Sequence, residues 1–165
     1  MILFQVWCYQ CDGPIFSSPS LYIPPRLEHS IGYNTQQDLT QLNQTSHRAR
    51  HSFCCVFGCH SSDVICLSGE GKLLWQHKMA SQVYSSPFVI NDGLRCKRPL
   101  VVVCCTSGEV HVLDLDSGRL LGCSQLEGGQ IFSSPVIWNN HLVVGCRDNN
   151  VYCLQLSLRY EHFMY

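Results

Sequence analysis

A phrase of five residues occurs three times in this chain, each time running from an aliphatic-aromatic pair into Ser-Ser-Pro. The copies are Ile15-Phe16-Ser17-Ser18-Pro19, Val83-Tyr84-Ser85-Ser86-Pro87 and Ile131-Phe132-Ser133-Ser134-Pro135. Their prolines lie 68 and 48 residues apart, and a polar stretch, 24–52, fills the excess in the first interval. Without that insertion the period falls near the roughly 40–50 residues that mark propeller repeats.

The features between the copies also keep their order. A second apolar run follows each Ser-Ser-Pro, at Phe53 to Cys59, Leu100 to Cys105 and Leu142 to Cys146. Next come a polar turn (His60-Ser61-Ser62, Thr106-Ser107-Gly108 or Arg147-Asp148-Asn149-Asn150) and a third run, at Val64 to Leu67, Val110 to Leu115 and Val151 to Leu156. The first two units add a glycine turn and a fourth run, Gly71 to Trp75 and Gly118 to Gly122. Runs of four to seven residues rich in Val, Ile, Phe and Tyr, bounded by Gly, Ser, Asn and Asp, read as strands. Val101-Val102-Val103 is continuously apolar, so both of its faces should be covered.

Four short antiparallel strands per repeat predict an all-β fold, a β-propeller whose blades bury their faces against one another. The chain holds fewer than the roughly 4–8 blades of a closed ring. The expected architecture is therefore a partial, open propeller of about three four-stranded blades, the third incomplete. Its parts are a blade at 15–78 that carries the insertion, a second blade at 83–124, an incomplete third at 131–156 and a divergent tail at 157–165. Trp7 precedes Ser17 by the same ten residues that separate Trp75 from Ser85. Residues 1–14 are accordingly expected to be the last strand of a preceding blade and its linker, and the whole to be a piece of a larger propeller.

Composition narrows the function. Eleven Lys and Arg against twelve Asp and Glu give a net charge of −1. Such a balance offers no basic excess for nucleic acid or anionic lipid, so neither is an expected partner. No apolar run approaches the roughly 20 residues of a membrane helix. Twelve cysteines would suggest disulfides in a secreted domain, but most stand inside β-branched runs, where Cys acts as a small hydrophobe. The N-terminal residues, Met1 to Trp7, lack a basic region and a cleavage site. Reduced thiols and a cytoplasmic protein are expected.

The Ser-Ser-Pro openings and the glycine-turn strand ending in tryptophan resemble the quinoprotein, or PQQ-binding-like, repeat family of β-propellers. Leu113 to Gly122 keeps that family's aspartate, at Asp114 or Asp116, and its glycine, Gly118, with Gly122 where Trp is usual; Leu67 to Trp75 keeps Gly71 and Trp75 but is one residue shorter in the turn. Gly129 to Ile137 and Gly145 to Leu154 further resemble the C-terminal propeller of acyl-CoA synthetase-like enzymes. The resemblance implies a parent that joins an ATP-dependent adenylate-forming domain and a carrier domain to the propeller, with a role in carboxylic or fatty acid activation and metabolism. Neither a Ser/Thr/Gly-rich phosphate loop nor a carrier serine stands in this sequence. The chain is expected to be a non-catalytic binding or scaffolding module. Its expected partners are the remaining blades and catalytic domains of such a parent, or another protein. A PQQ-dependent dehydrogenase fragment and a generic protein-interaction propeller are the alternatives.

Each candidate site residue has a structural role to set beside a functional one. Ser17, Ser18, Ser85, Ser86, Ser133 and Ser134 could form a polar ring, but serines that bond nearby backbone, with Pro19, Pro87 and Pro135 fixing φ where no ladder donor is needed, open a strand equally well. Trp7 and Trp75 are expected to pack between blades rather than to stack on a ligand. No catalytic residue and no metal site is expected. Cys8 and Cys11 have the spacing of half a zinc knuckle without the second half. Cys54-Cys55 and Cys104-Cys105 are adjacent on strands, so their side chains point to opposite faces, away from a vicinal disulfide. PQQ is implied by the family resemblance alone; no cofactor is otherwise expected. Asp148, Asn149 and Asn150 have the ligand types for its calcium, yet they align with hairpin turns. The insertion, with His29, His47, His51 and the sequon at Asn43, is read as a tolerated excursion.

Overall fold

The computed structural model describes residues 2–24, 53–91 and 98–157. The insertion beyond Pro24, with its histidines and its sequon, lies outside the described residues, as do Cys96 and the tail from 158 onward.

Among the described residues the fold is three antiparallel sheets in chain order. The first is β1 (Ser20–Tyr22), β2 (Cys54–Gly58), β3 (Asp63–Ser68) and β4 (Leu73–Lys78). The second is β5 (Phe88–Ile90), β6 (Leu100–Cys104), β7 (Glu109–Asp114) and β8 (Leu120–Gln125). The third is β9 (Val136–Trp138), β10 (His141–Gly145) and β11 (Val151–Gln155). Each strand pairs with its sequence neighbour, and β5 approaches both β1 and β9, so the first strands of the three sheets line the inner side. This is a partial, open β-propeller.

Its core lies between the sheets. The second sheet shows why, because β6 is buried on both faces. Val101 and Val103 pack with Val56, Val64, Cys66 and Trp75 of the first sheet, while Val102 and Cys104 pack with Leu142 and Val144 of the third. Alternation along one strand thus supplies two cores, each fully buried valine contributing about 1.5–3 kcal/mol relative to exposure. β3 is likewise buried along its whole length. The second sheet covers one of its faces and Trp7, Tyr9 and Cys11 the other, so polar residues there need partners.

The fourth strands run further than the apolar runs suggested. β4 continues through Gln76-His77-Lys78 and β8 through Cys123-Ser124-Gln125. Outermost strands need fewer apolar side chains, and polar residues along them discourage edge-to-edge pairing. Both carry a register shift at the same repeat position, between Cys66 and Leu67 in one sheet and between Val112 and Leu113 in the other.

Residues 2–10 join no ladder among the described residues. They nonetheless cover the first sheet, where Trp7, Tyr9 and Cys11 pack on Cys55, Phe57, Ile65 and Leu67.

Candidate functional site at the rim of the inner strands

The repeated serines have two separate tasks. The first serine of each pair clamps the end of its own second strand. Ser17 Oγ donates to Gly58 O at 2.9 Å and accepts from Gly58 N at 2.8 Å. Ser85 does the same with Cys104, at 2.6 and 3.2 Å, and Ser133 with Gly145, at 2.7 and 3.0 Å. One hydroxyl thus satisfies both backbone groups of a residue beyond the short inner strand, groups that would be costly to bury unpaired.

The second serines join the blades. Ser18 N donates to Ser86 Oγ at 2.8 Å, and Ser86 N donates to Ser134 Oγ at 2.9 Å. Ser20 Oγ adds a bond to the Pro87 carbonyl. Pro19, Pro87 and Pro135 each stand immediately before an inner strand, where their missing N–H breaks no ladder.

Just ahead of the serines lies a row of aromatic rings. Phe16 stacks on Tyr84 with centroids 5.1 Å apart, and Tyr84 meets Phe132 at 5.0 Å. His60 sits edge-on to Phe16 and to Tyr84. Arg147 lies 5.3 Å over the Phe132 ring and donates to Gln130 Oε1 at 3.1 Å. His60 and Arg147 occupy one repeat position, since their N–H groups donate to Pro14 O and Gln130 O, each at 3.0 Å. Phe16 and Phe132 remain 61% and 38% exposed, so the row is a continuous apolar ledge with a cation at one end. Aromatic ledges with polar tips suit protein recognition. The signal was present in the sequence, because the same residue before the first serine is aromatic in all three repeats.

The tryptophans lie on glycines of the following blade. Trp75 packs against Gly118 and its Nε1 donates to Leu115 O at 2.7 Å; Trp7 packs against Gly71 and donates to Gly69 O at 3.0 Å. Both glycines have positive φ, 67° and 77°. The shortened turn before Trp75 and the absence of a tryptophan at Gly122 do not prevent this docking at the first two positions. Ser68 and Asp114, also equivalent, organise the turn that presents each glycine: Ser68 Oγ accepts from Glu70 N, and Asp114 Oδ1 accepts from Asp116 N and Ser117 N.

A pair of histidines bridges the first two sheets. His77 Nε2 and His111 Nδ1 are 3.0 Å apart, and His111 Nε2 lies 3.4 Å from Glu109 Oε2. Burial pushes both imidazoles below their ordinary value; His111 adds to the lowering at His77, while Glu109 opposes it at His111. Nothing in the spacing of these residues announced the pair, which forms only once β4 faces β7.

Eleven cysteines in the described residues are free thiols. Burial raises Cys104 to about 12 and Cys11 to about 11, the latter with help from Cys59. A hydrogen bond with Cys54, then burial, pushes Cys66 up strongly. Burial also raises Cys55. Among the described residues no three His, Cys, Asp or Glu side chains come together as a metal site, Cys8 and Cys11 included.

Asp148, Asn149 and Asn150 form a hairpin turn. Asp148 accepts from Asn150 N at 3.0 Å, from Asn150 Nδ2 at 3.1 Å and from the Tyr152 hydroxyl, which together lower its carboxyl to about 2. Asn149 has φ of 68°, as Ser62 has 71° and Gly108 has 89° at the equivalent positions. The carboxylate also comes so close to Gly128 that a Cβ there would meet it at 1.8 Å. With the Asp148 carboxylate taken up by Asn150 and Tyr152, this turn does not fit the calcium of a bound quinone.

Comparison with known proteins agrees with the propeller. No family model matches the chain. It is similar to the beta-alanine-activating enzyme of Danio rerio, 41% identical over 125 residues that make up 75% of this chain and 11% of that protein. Proteins of the same name from Mus musculus and Homo sapiens are 40% and 38% identical over 100 residues, 61% of this chain and 9% of each of theirs. The chain therefore spans about a tenth of the length of the curated relatives it matches. Among solved structures, BamB from Moraxella catarrhalis superposes with a TM-score of 0.51 and 21% identity, over 64% of this chain and 30% of that one. A β-propeller domain from Myceliophteria thermophila gives 0.50 and 14%, over 63% and 32%. These structures speak to the fold alone. The chain is a partial β-propeller related in sequence to a segment of beta-alanine-activating enzymes.

Proposed function

We propose that this chain is a non-catalytic recognition segment of a propeller that works beside acid-activating machinery, presenting its aromatic rim to a protein surface of that machinery. The observation that carries the reading is the row of Phe16, Tyr84 and Phe132, its two ends exposed and Tyr84 half-buried between them, held in line by the serine relay, in a chain related to beta-alanine-activating enzymes. Its partners in this reading are the adenylating and carrier domains of such an enzyme and further blades, and its role lies in carboxylic acid activation. Rigid rim residues offer area for recognition at little entropic cost. The reading requires no PQQ. Its setting is the cytoplasm, where free thiols persist. No helix among the described residues is long and apolar enough to cross a membrane.

The test uses the Danio rerio relative lacking the matched 125-residue region, first checked for pyrophosphate release with β-alanine and ATP. Calorimetric titration with this chain is expected to show saturable one-to-one binding. Phe16→Ser combined with Phe132→Ser should weaken it at least about tenfold, since exposed aromatic anchors dominate such surfaces. Absence of binding by the unaltered chain overturns the reading, and so does pyrophosphate release by the chain alone.

A further inference from the structure

A cysteine stands at the end of the second strand in every blade. Cys59, Cys105 and Cys146 directly follow the residues that Ser17, Ser85 and Ser133 clamp, and their N–H groups donate to Asp63 O, Glu109 O and Asn150 O at 2.8, 3.0 and 2.9 Å, so the three occupy one repeat position. Four residues after each docking tryptophan comes a second repeat position, Cys11 after Trp7 and Met79 after Trp75. Leu126 continues it, since Met79 N and Leu126 N donate to Ser62 O and Gly108 O at 2.8 and 2.9 Å. Met79 is buried in one core with Cys105. In the first blade the same two positions are both cysteines, and the Cys11 thiol hydrogen-bonds Cys59. Where the next blade sets a thioether near a thiol, this one sets thiol on thiol.

The backbone holds the two together. Cys59 Sγ donates to Gly13 O at 3.2 Å, a Cβ on Gly13 would meet the same sulfur at 3.6 Å, and His60 N donates to Pro14 O at 3.0 Å, so residues 11–14 run along 59–60. Cys11 itself belongs to no ladder, which leaves its backbone free to bring the sulfurs to bonding distance. The other thiols in contact lack that freedom. Cys54 hydrogen-bonds Cys66, but the register sets Cys54 opposite Ser68 and Cys66 opposite Val56. The pair is therefore diagonal across two paired strands, about 7–8 Å apart at Cα, where a disulfide needs the backbone to move.

We propose that Cys11 and Cys59 are a redox couple that closes to a disulfide, stapling the segment ahead of the first serine clamp to the end of β2. The oxidant is a small disulfide of the glutathione class. Cys11, half-buried where Cys59 is buried, attacks one of its sulfurs as the thiolate and releases one glutathione; the Cys59 thiolate then attacks the Cys11 sulfur and releases the second. Two electrons pass from the cysteines to the glutathione disulfide, and the two thiol protons end on the released glutathiones. Burial and the neighbouring Cys59 raise the Cys11 thiol to about 11, so the exchange is slow near neutral pH and answers sustained oxidant. The staple closes a loop of about 48 residues, which restricts the unfolded chain and favours the folded one. It fixes the neighbours of Gly58, which Ser17 holds, and of His60, which lies edge-on to Phe16, whatever the aromatic row binds.

The experiment equilibrates the reduced chain with a buffer of reduced and oxidised glutathione, quenches it with acid, blocks the remaining thiols with N-ethylmaleimide and maps the peptides without reduction. The expected result is a peptide linked through Cys11 and Cys59, formed at least about tenfold more in the folded chain than in denaturing urea, because the fold favours the link by the same factor with which the link favours the fold. Oxidation should also raise the urea midpoint. Cys11→Met places at this position the residue that the next blade carries as Met79, so it should keep the circular dichroism spectrum while losing both the link and the rise in midpoint. Glutathione adducts at Cys8 and Cys123 with no link between Cys11 and Cys59, a link between Cys54 and Cys66 in its place, or equal formation in the folded and the unfolded chain overturns the proposal.

Discussion

Trp75 rests against Gly118 so closely that a Cβ on the glycine would come within 2.6 Å of the indole Cδ2 and Cε3 atoms. The contact joins the last strand of one blade to the turn of the next, and the left-handed φ of 67° presents the backbone face that the ring covers. Gly118→Ala combines a strained backbone with an overpacked aromatic contact and is expected to lower stability by about 2–4 kcal/mol. Gly122→Ala, where an added Cβ meets nothing within 4 Å, should be close to neutral. Urea denaturation of the two variants decides the matter; equal midpoints would refute the docking role of Gly118.

The serine clamps should differ in strength by blade. Ser85 is fully buried and holds both backbone groups of Cys104, whereas Ser133 makes the same pair of bonds in an exposed setting. Ser85→Ala leaves buried polar atoms unpaired and should cost about 1–3 kcal/mol. In Ser133→Ala water replaces the hydroxyl, so the loss should stay below about 1 kcal/mol. Denaturant midpoints falling in the opposite order would contradict this assignment.

Much of this architecture was legible because a repeat can be read against itself. Three copies of aromatic-Ser-Ser-Pro fixed where the inner strands begin, and the continuous valines at 101–103 announced a strand covered on both faces. The turn at Asp148 was also readable, since Asn149 falls where Gly108 stands in the preceding blade. What escaped was the surroundings of side chains whose partners lie in another blade. His77 and His111 are 34 residues apart and meet only across a sheet-to-sheet interface. The aromatic row was hidden differently: Phe16, Tyr84 and Phe132 looked like three local apolar residues, and only the radial arrangement of the inner strands brings their rings together.

Thiol reactivity should follow burial. Cys8 and Cys123 are exposed, while Cys55, Cys66 and Cys104 are buried with raised thiols. Cys11, raised from 9.0 to about 11, carries on the order of a hundredfold less thiolate near neutral pH than an unshifted thiol. Brief alkylation at pH 7.5 followed by peptide mass spectrometry is expected to label Cys8 and Cys123 and to spare the other four until denaturant is added. Rapid labelling of Cys104 in the native protein would show that the interface between the second and third sheets opens readily.

The histidine bridge makes the first blade interface sensitive to acid. Burial depresses both His77 and His111, so each binds its proton more weakly in the folded chain than in the unfolded one, where the ordinary value is 6.5. The unfolded state therefore takes up more protons as pH falls past 6.5, and stability declines through the lower folded values of the pair. Glu109 beside His111 favours the charged form and opposes the shift, but burial outweighs it. Asp63 contributes in a lower window: burial raises it, yet hydrogen bonds from Ser61, Gln76 and Lys78 prevail and hold it below 3.8, so its stabilisation is lost only in stronger acid. Urea midpoints measured from pH 7.5 to 5 are expected to fall for the unaltered chain and to change less in His77→Gln combined with His111→Gln. The double variant is the necessary control because other groups also titrate on unfolding. If both proteins lose stability in parallel over that range, the imidazole pair is not the source of the acid sensitivity.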